Sequence, residues 1–223
     1  MLQQKKRPSD SWAQSVSSFS GDSGILIPDG CWDLVIMQSE RGSGVLLTGQ
    51  TTRPVQLSLP PGDEFLSISF PADVHLALPH RLVAVDEAIL LSVEGSHFWL
   101  GKEKIEIPGS DDSESMVHRL RTAGLLRQDS VVASALDGHI EKDIRTVQRH
   151  FLASTGMTRM AFEQLRRLNE ALEKLRLGQS PAQVAADCGY SDQAHLSRSM
   201  KRFAGLTPRQ IQKNAENVVL IQE

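Results

Sequence analysis

The feature that most limits what this chain can fold into is a helix, a turn and a second helix written twice, with one long amphipathic helix between the copies. In the later copy, SPAQVAADCGYSDQAHLSRSMKRFAGLTP (180–208), SPAQ is a capping box with Pro181 at the first helical position, so a helix begins there. It carries Val184, Ala185 and Cys188, and Gly189 turns the chain. From Asp192 to Ala204, at about 100° per residue, Leu196, Met200 and Phe203 share one face while His195, Arg198, Ser199 and Arg202 share another. One face is core, the other polar and cationic. The earlier copy is SVVASALDG followed by DIRTVQRHF, with Asp129 or Ser130 capping its first helix and Asp143 its second. There Ile144, Val147 and Phe151 are expected on the core face, behind Arg145, Gln148 and Arg149. The helix between the copies runs from about Thr158 to Leu177 on a stripe of Phe162, Leu165, Leu168, Leu172 and Leu175, and Gly178 closes it. Twenty residues would span ~30 Å, close to the ~34 Å between successive major-groove faces of B-DNA. TPRQ (207–210) signals one last short helix.

The first half is written in a different pattern. CWDLVIM, GVLLTG, VQLSLP and EFLSISF are short β-rich runs punctuated by Gly and Pro, and the last alternates Leu66, Ile68 and Phe70 against Ser67 and Ser69. Such runs predict a small barrel or sandwich over 25–108. Residues 1–24, serine-rich and without a sustained period, read as poorly ordered or only locally structured. The polar break GSDDSES (109–115) marks the domain boundary, and 109–128 form a linker and connecting helix bearing Val117, Leu120 and Leu125. The fold class is therefore α+β: an N-terminal small β-barrel or sandwich, then an all-α domain over 129–223.

Charge divides the same way. Residues 1–128 hold 11 Lys and Arg against 16 Asp and Glu, whereas 142–213 hold 13 against 6. The second half has the electrostatic footprint of a phosphate-binding module. No apolar run approaches the ~18 residues of a membrane span. MLQQKKRPSDSW has no apolar stretch behind its basic residues, so no secretory signal is readable and the expected location is the cytoplasm. Cys31 and Cys188 are too far apart in sequence for a metal-ligand spacing and read as buried structural thiols.

On these residues, Ser130 to Gln212 resembles the DNA-binding domain of the AraC/XylS family of bacterial transcription regulators. VAADCGYSDQAHLSRSMKRFAGLTP matches that family's signature over the second unit, and DIRTVQRHFLASTGMT its first recognition helix and exit. The chain departs from it in ALDGHIEKD, which is longer than the usual turn, and in Leu196 and Met200, which replace phenylalanines. LIPDGCWDLVI and LTGQTTRP resemble the β-rich, cupin-like domain attached to some members. The resemblance implies a sequence-specific regulator, activator or repressor, that binds an operator in double-stranded DNA. It implies that Gln193, His195, Arg198 and Ser199, with Arg145, Gln148 and Arg149, face bases, and that Lys201, Arg202 and Arg209 hold phosphates. Arg pairing with guanine and Gln with adenine fits that chemistry. Partners implied are a small-molecule effector, a second copy as homodimer and, for an activator, RNA polymerase. Trp32, Phe65, Phe70 and Trp99 are candidates to line an effector pocket in the β-rich domain.

Two other classes stay open. His75, His80 and His97 with Asp73 and Glu94 could serve a cupin-like metal-dependent enzyme fused to the DNA-binding module. Their spacing lacks a close His-x-His pair followed by a carboxylate, and no paired catalytic carboxylates stand out, since Asp29 in PDGCWD is explained by its turn. The expectation is no enzyme, no cofactor and no metal. A non-specific DNA-architectural protein is the third class, and the acidic first half speaks against it.

Overall fold

The computed structural model describes residues 3–6, 12–13, 15–20, 23–40, 42–58, 63–108, 113–140, 142–213 and 218–220. Twelve strands come first: β1 (Gln3–Lys6), β2 (Ser15–Ser20), β3 (Ser23–Ile27), β4 (Trp32–Ser39), β5 (Gly42–Thr48), β6 (Val55–Ser58), β7 (Glu64–Phe70), β8 (Val74–Leu76), β9 (Ala88–Leu91), β10 (Val93–Glu94), β11 (His97–Leu100) and β12 (Glu103–Glu106). Then come α1 (Ser113–Thr122), β13 (Leu126–Gln128), α2 (Ser130–Leu136), α3 (Ile144–Thr155), α4 (Arg159–Arg176), α5 (Pro181–Asp187), α6 (Gln193–Ala204), α7 (Pro208–Lys213) and β14 (Val218–Leu220).

The main sheet has the order β1-β2-β7-β4-β5-β9, antiparallel throughout, and among the described residues its edge strands do not pair to close a barrel. Alternation decides its buried face: Leu34 lies opposite both Ile68 and Leu47, and Ile36 opposite Leu66 and Val45, all inward. That face meets Phe98, Leu100 and Ile105 from the β10-β11-β12 sheet, so the domain is a β-rich sandwich of unequal layers.

At two places the structure adds pairings to the expected plan. Residues 1–24 contain β1 and β2, and β2 pairs with β7 from Ser15↔Ser69 to Ser20↔Glu64. Serine lowers β propensity little, and the pairing depends on a partner strand fifty residues away. In 109–128, expected as a linker and connecting helix, the described residues hold α1 and β13. Met116 and Leu120 of α1, with Leu125 and Leu126 after it, are buried in the β-domain core, and β13 pairs with β8. The polar break therefore falls inside the first folding unit, whose core ends just before Asp129.

The second core gathers Val147 and Phe151 of α3, the Phe162–Leu175 stripe of α4, Val184 of α5, Leu196 and Met200 of α6 and Ile211 of α7. Ile27 and Ala72 of the β-domain join it. The two domains also share a sheet, because β14 runs parallel to β3. The turn after β3 docks on α4: Gly30 has φ 83°, and a Cβ there would stand 2.6 Å from Phe162 Cε2, so glycine is required twice over. Asn169 Nδ2 donates to the Pro28 carbonyl beside it at 2.9 Å. Among the described residues no helix is long and apolar enough to cross a membrane.

Candidate nucleic-acid interface

The α3 and α6 helices are built by the same local rules. Asp143 caps α3 by accepting from Thr146 N, and Asp192 caps α6 by accepting from His195 N. The Thr146 hydrogen bonds hold Asp143, and the His195 backbone bond holds Asp192, below the usual carboxylate range, so both helix starts carry a charged cap. Gly156 and Gly205 end the two helices in the left-handed conformation. Cap to cap, DIRTVQRHFLASTGMT lies over DQAHLSRSMKRFAGLT, which pairs Val147 with Leu196 and Phe151 with Met200 inside. The same register pairs Arg149 with Arg198, both exposed and nearly opposite the core side chains.

Of the expected base-facing residues, Arg145, Gln148 and Arg149 are exposed on α3, and Gln193 and Arg198 on α6. His195 and Ser199 are half-buried: the His195 ring meets the Tyr190 ring edge-on, and its Nδ1 lies 3.2 Å from Ser191 Oγ. The turn of this unit is pinned from α4, where Arg167 stacks over Tyr190 and donates to the Gly189 carbonyl. Lys201, Arg202 and Arg209 are exposed; Lys201 Nζ bonds the Gly205 carbonyl at 3.0 Å, and Arg202 lies over Phe203.

Ile144 does not share the core face with Val147 and Phe151. At the first helical position it is 68% exposed. It occupies the place Gln193 has in α6, and the cap-to-cap register, readable in the sequence, would have found it. The connections also differ, 137–143 in the first unit against 188–192 in the second, as the length of ALDGHIEKD implied.

The C-terminal end of α3 is tied to the β-domain. Arg81 Nη2 donates to the Ala153 carbonyl at 2.8 Å, and Ser154 Oγ to the Ala72 carbonyl at 2.6 Å. Asp129, which caps α2, accepts from His150 Nδ1 at 2.7 Å, while its backbone N–H donates to the Asp73 carbonyl. Burial pushes the Asp129 carboxyl up, but the His150 and backbone hydrogen bonds outweigh it and hold the group low. At the matching end of α6, Gly205 lies beside Pro54 of the β-domain.

The four aromatic pocket candidates do not converge. Trp32 and Phe70 stack with centroids 4.1 Å apart inside the core, and Trp32 Nε1 donates to the Val74 carbonyl. Phe65 is an odd number of residues from Phe70 and points to the opposite face of β7. Trp99 points away from the buried Phe98 and Leu100, with Lys104 above its ring. A cavity of about 280 Å³ lies where the β-domain meets α3. Trp32 is the one candidate that lines it, together with Gln50, His75, His80, Arg81 and Ser154.

The metal candidates also separate. His75 and His80 border that cavity, Asp73 accepts from Gln128, Glu94 pairs with Lys104, and His97 lies beside Ser96. Among the described residues no three His, Cys, Asp or Glu side chains stand as a ligand set. Asp29 accepts from the Cys31 backbone, closing its turn, and burial with the nearby Asp33 pushes its carboxyl up to about 7. Asp33 is itself raised by burial, against hydrogen bonds from Ser69 and Thr48. Cys31 and Cys188 are buried free thiols.

Residues 140–214 match the family model of a helix-turn-helix domain. No curated protein matches the chain. Among solved structures the chain is similar to ToxT from Vibrio cholerae. One crystal form aligns at 11% identity over 95% of this chain and 98% of that one, with a TM-score of 0.43. A second ToxT structure, from strain O395, aligns at 12% identity over 95% and 97%, with a TM-score of 0.40. A third, of unsaturated fatty acid bound wild-type ToxT from strain SCE256, aligns at 11% over 88% and 93%, with a TM-score of 0.38.

Proposed function

From the premise that the C-terminal domain is a helix-turn-helix domain of the AraC type, we propose that this protein is a sequence-specific transcription regulator that reads operator DNA with both α3 and α6. One observation carries the proposal: two equally capped helices, at either end of α4, each present an exposed arginine opposite the core. The 18 residues of α4 span ~27 Å and, with the turns at its two ends, keep α3 and α6 apart on the scale of the ~34 Å between successive major-groove faces. In this reading Arg145, Gln148, Arg149, Gln193 and Arg198 meet base edges from the helix faces, with His195 and Ser199 at the inner margin. Lys201, Arg202 and Arg209 hold phosphates, which set position without reading sequence.

The β-rich domain is the regulatory part in this account, responding to a small molecule and acting on α3 through the contacts at Ala153 and Ser154. A second copy of the chain would set the symmetry of the operator, and an activating role would add contact with RNA polymerase. The test is selection of duplexes from a random pool by the full chain, followed by affinity on the selected and on scrambled DNA across a salt series. The proposal expects a selected site bound at least ~10³-fold more tightly than scrambled DNA and a steep fall with salt. Equal affinity for both would leave a non-specific binder.

A further inference from the structure

The stretch LTGQTTRP closes β5 and forms the loop to β6. It is locked to the loop before β9. Gly49 N donates to the Glu87 carbonyl and Asp86 N to the Gln50 carbonyl, each at 2.9 Å. A Cβ on Gly49 would stand 1.9 Å from the Ala84 carbonyl oxygen, so only glycine fits there. The Asp86 carboxylate accepts from Thr52 N at 2.5 Å and from Thr52 Oγ1 at 2.6 Å. Asp86 makes this grip at φ 63°, alone among the described non-glycine residues in having a positive φ, and such a conformation persists only where its surroundings fix it. On this rigid mount stands Arg53, the one Lys or Arg between Arg41 and Arg81. Its side chain is 82% exposed, and its ion pair with Asp86 is loose, at 3.9 Å, to a carboxylate that Thr52 already engages. The next residue, Pro54, has its Cγ 3.6 Å from where a Cβ of Gly205 would stand, and the Gly205 carbonyl accepts from Lys201 Nζ at 3.0 Å. The single cation of this β-domain stretch is thus brought to the end of α6 where Lys201 and Arg202 are exposed.

We propose that Arg53 is a DNA-phosphate contact supplied by the β-domain, forming with Lys201 and Arg202 one basic cluster at the C-terminal end of α6. This rests on the reading of α6 as a recognition helix. A guanidinium offers five donors in a fixed fork and takes a phosphate bidentately, whereas the ammonium of Lys201 acts as a point charge. Ordering a surface side chain on a phosphate costs conformational freedom, and the locked loop has already fixed the backbone that carries this one. The Asp86 pair is no obstacle, because an exposed ion pair of that length is weak and yields readily to a phosphate. The contact carries no sequence information, since a phosphate is the same at every base pair; it sets where the β-domain stands on the duplex. The β-domain is then part of the DNA interface, joined to the same segment of the operator as α6.

The experiment measures the affinity of the full chain for its selected operator and for scrambled duplex between about 0.1 and 1 M salt. One phosphate contact adds ~0.9 to the slope of log affinity against log salt, which is about 8-fold between those limits. Arg53→Gln should therefore bind both duplexes about 8-fold more weakly at the low-salt end, equally well at the high-salt end, and with unchanged base preference. Arg53→Lys should keep the slope, and both variants should melt within about 2 °C of the natural chain, since the side chain is exposed. Arg53→Cys, labelled through its thiol with an iron chelate that cleaves nearby DNA, should cut the backbone beside the α6 half-site; Cys31 and Cys188 are buried and leave the new thiol as the target. An unchanged slope in Arg53→Gln, a slope lowered as much in Arg53→Lys, or cutting beside the α3 half-site alone overturns the contact. If Lys201→Ala lowers the slope and Arg53→Gln does not, α6 stands as read and this contact falls. If neither lowers it, the phosphate assignment at this end of α6 falls and the contact falls with it. Equal affinity for operator and scrambled duplex, with the slope still lowered in Arg53→Gln, removes sequence-specific reading and leaves the contact standing.

Discussion

The two helix-turn-helix units share one pattern and differ in what surrounds them. Both have an aspartate cap, a two-residue core pair, an outward arginine and a glycine stop, in the same order. After the arginine they part: α6 continues with exposed Lys201 and Arg202, α3 with exposed Leu152 and with Ala153, whose carbonyl is held by Arg81. The second unit keeps exposed cations at that end of its helix, while the first has given that end to the β-domain. The difference teaches that one helix pattern written twice can be seated differently: α3 ends on hydrogen bonds that join it to Arg81 and Ala72, α6 beside Pro54.

The largest expected effects concern the shared core. Phe151 and Met200 occupy equivalent places at 0% exposure, and Phe151 also meets the Phe162 ring at 5.8 Å. Phe151→Ala should cost about 3–5 kcal/mol and Met200→Ala about 2–5 kcal/mol in denaturant unfolding of the full chain. A negligible cost for either one would show that the units are not equivalent inside.

An effect of similar size, spread over about three pH units, tests the loop that seats α4 on the β-domain. The Asp29 carboxyl is raised by burial, then by Asp33, from 3.8 in the unfolded reference to about 7. Between those values the folded chain holds more protons than the unfolded one, so stability falls as pH rises from about 4 to 7, by up to ~1.4 kcal/mol per unit, and levels off above. Asp29→Asn should flatten that part of the profile; an unchanged slope would assign it elsewhere.

Two exchanges then probe the outer faces. Lys201→Ala should weaken all duplexes alike and reduce the salt slope by roughly one, and Leu152→Lys, at the matching position of α3, should raise it by about as much. A salt slope blind to Leu152→Lys would mean that this end of α3 stays off the backbone. The smallest effect belongs to Ile144, which offers a base only apolar contact. Replacing the thymines of the α3 half-site by deoxyuridine removes one methyl each and should cost about 0.8 kcal/mol at the contacted base with the natural chain and nothing with Ile144→Ala.

How much of this was legible in the sequence follows from how far each signal reaches. The caps at Asp143, Ser180 and Thr207 act within three residues, and each appears where its motif placed it; Thr207 and Gln210 bond reciprocally. The α4 stripe is equally local. The alternation of β7 sets Phe65 apart from Phe70, and that parity, not the shared aromatic type, decides which of them faces the core. Other features had no local signal. The β14–β3 and β13–β8 pairings, the burial of α1 and the Arg81–Ala153 bond each join segments far apart in the chain, so no window of sequence contains both partners. The cavity is made by such contacts, and it could not be found before the two domains were seen together.

The central claim, that both helices read bases, is tested most directly by matched substitutions at Arg149 and Arg198. Each variant, as the full chain, would be carried through selection from the same random duplex pool. The account predicts that Arg149→Ala and Arg198→Ala each cost about 1–3 kcal/mol on the natural operator and each relax one base pair, the two lying about one helical turn, 10–10.5 base pairs, apart. Uniform loss of affinity with unchanged base preference in either variant, or relaxation of the same base pair in both, would contradict it.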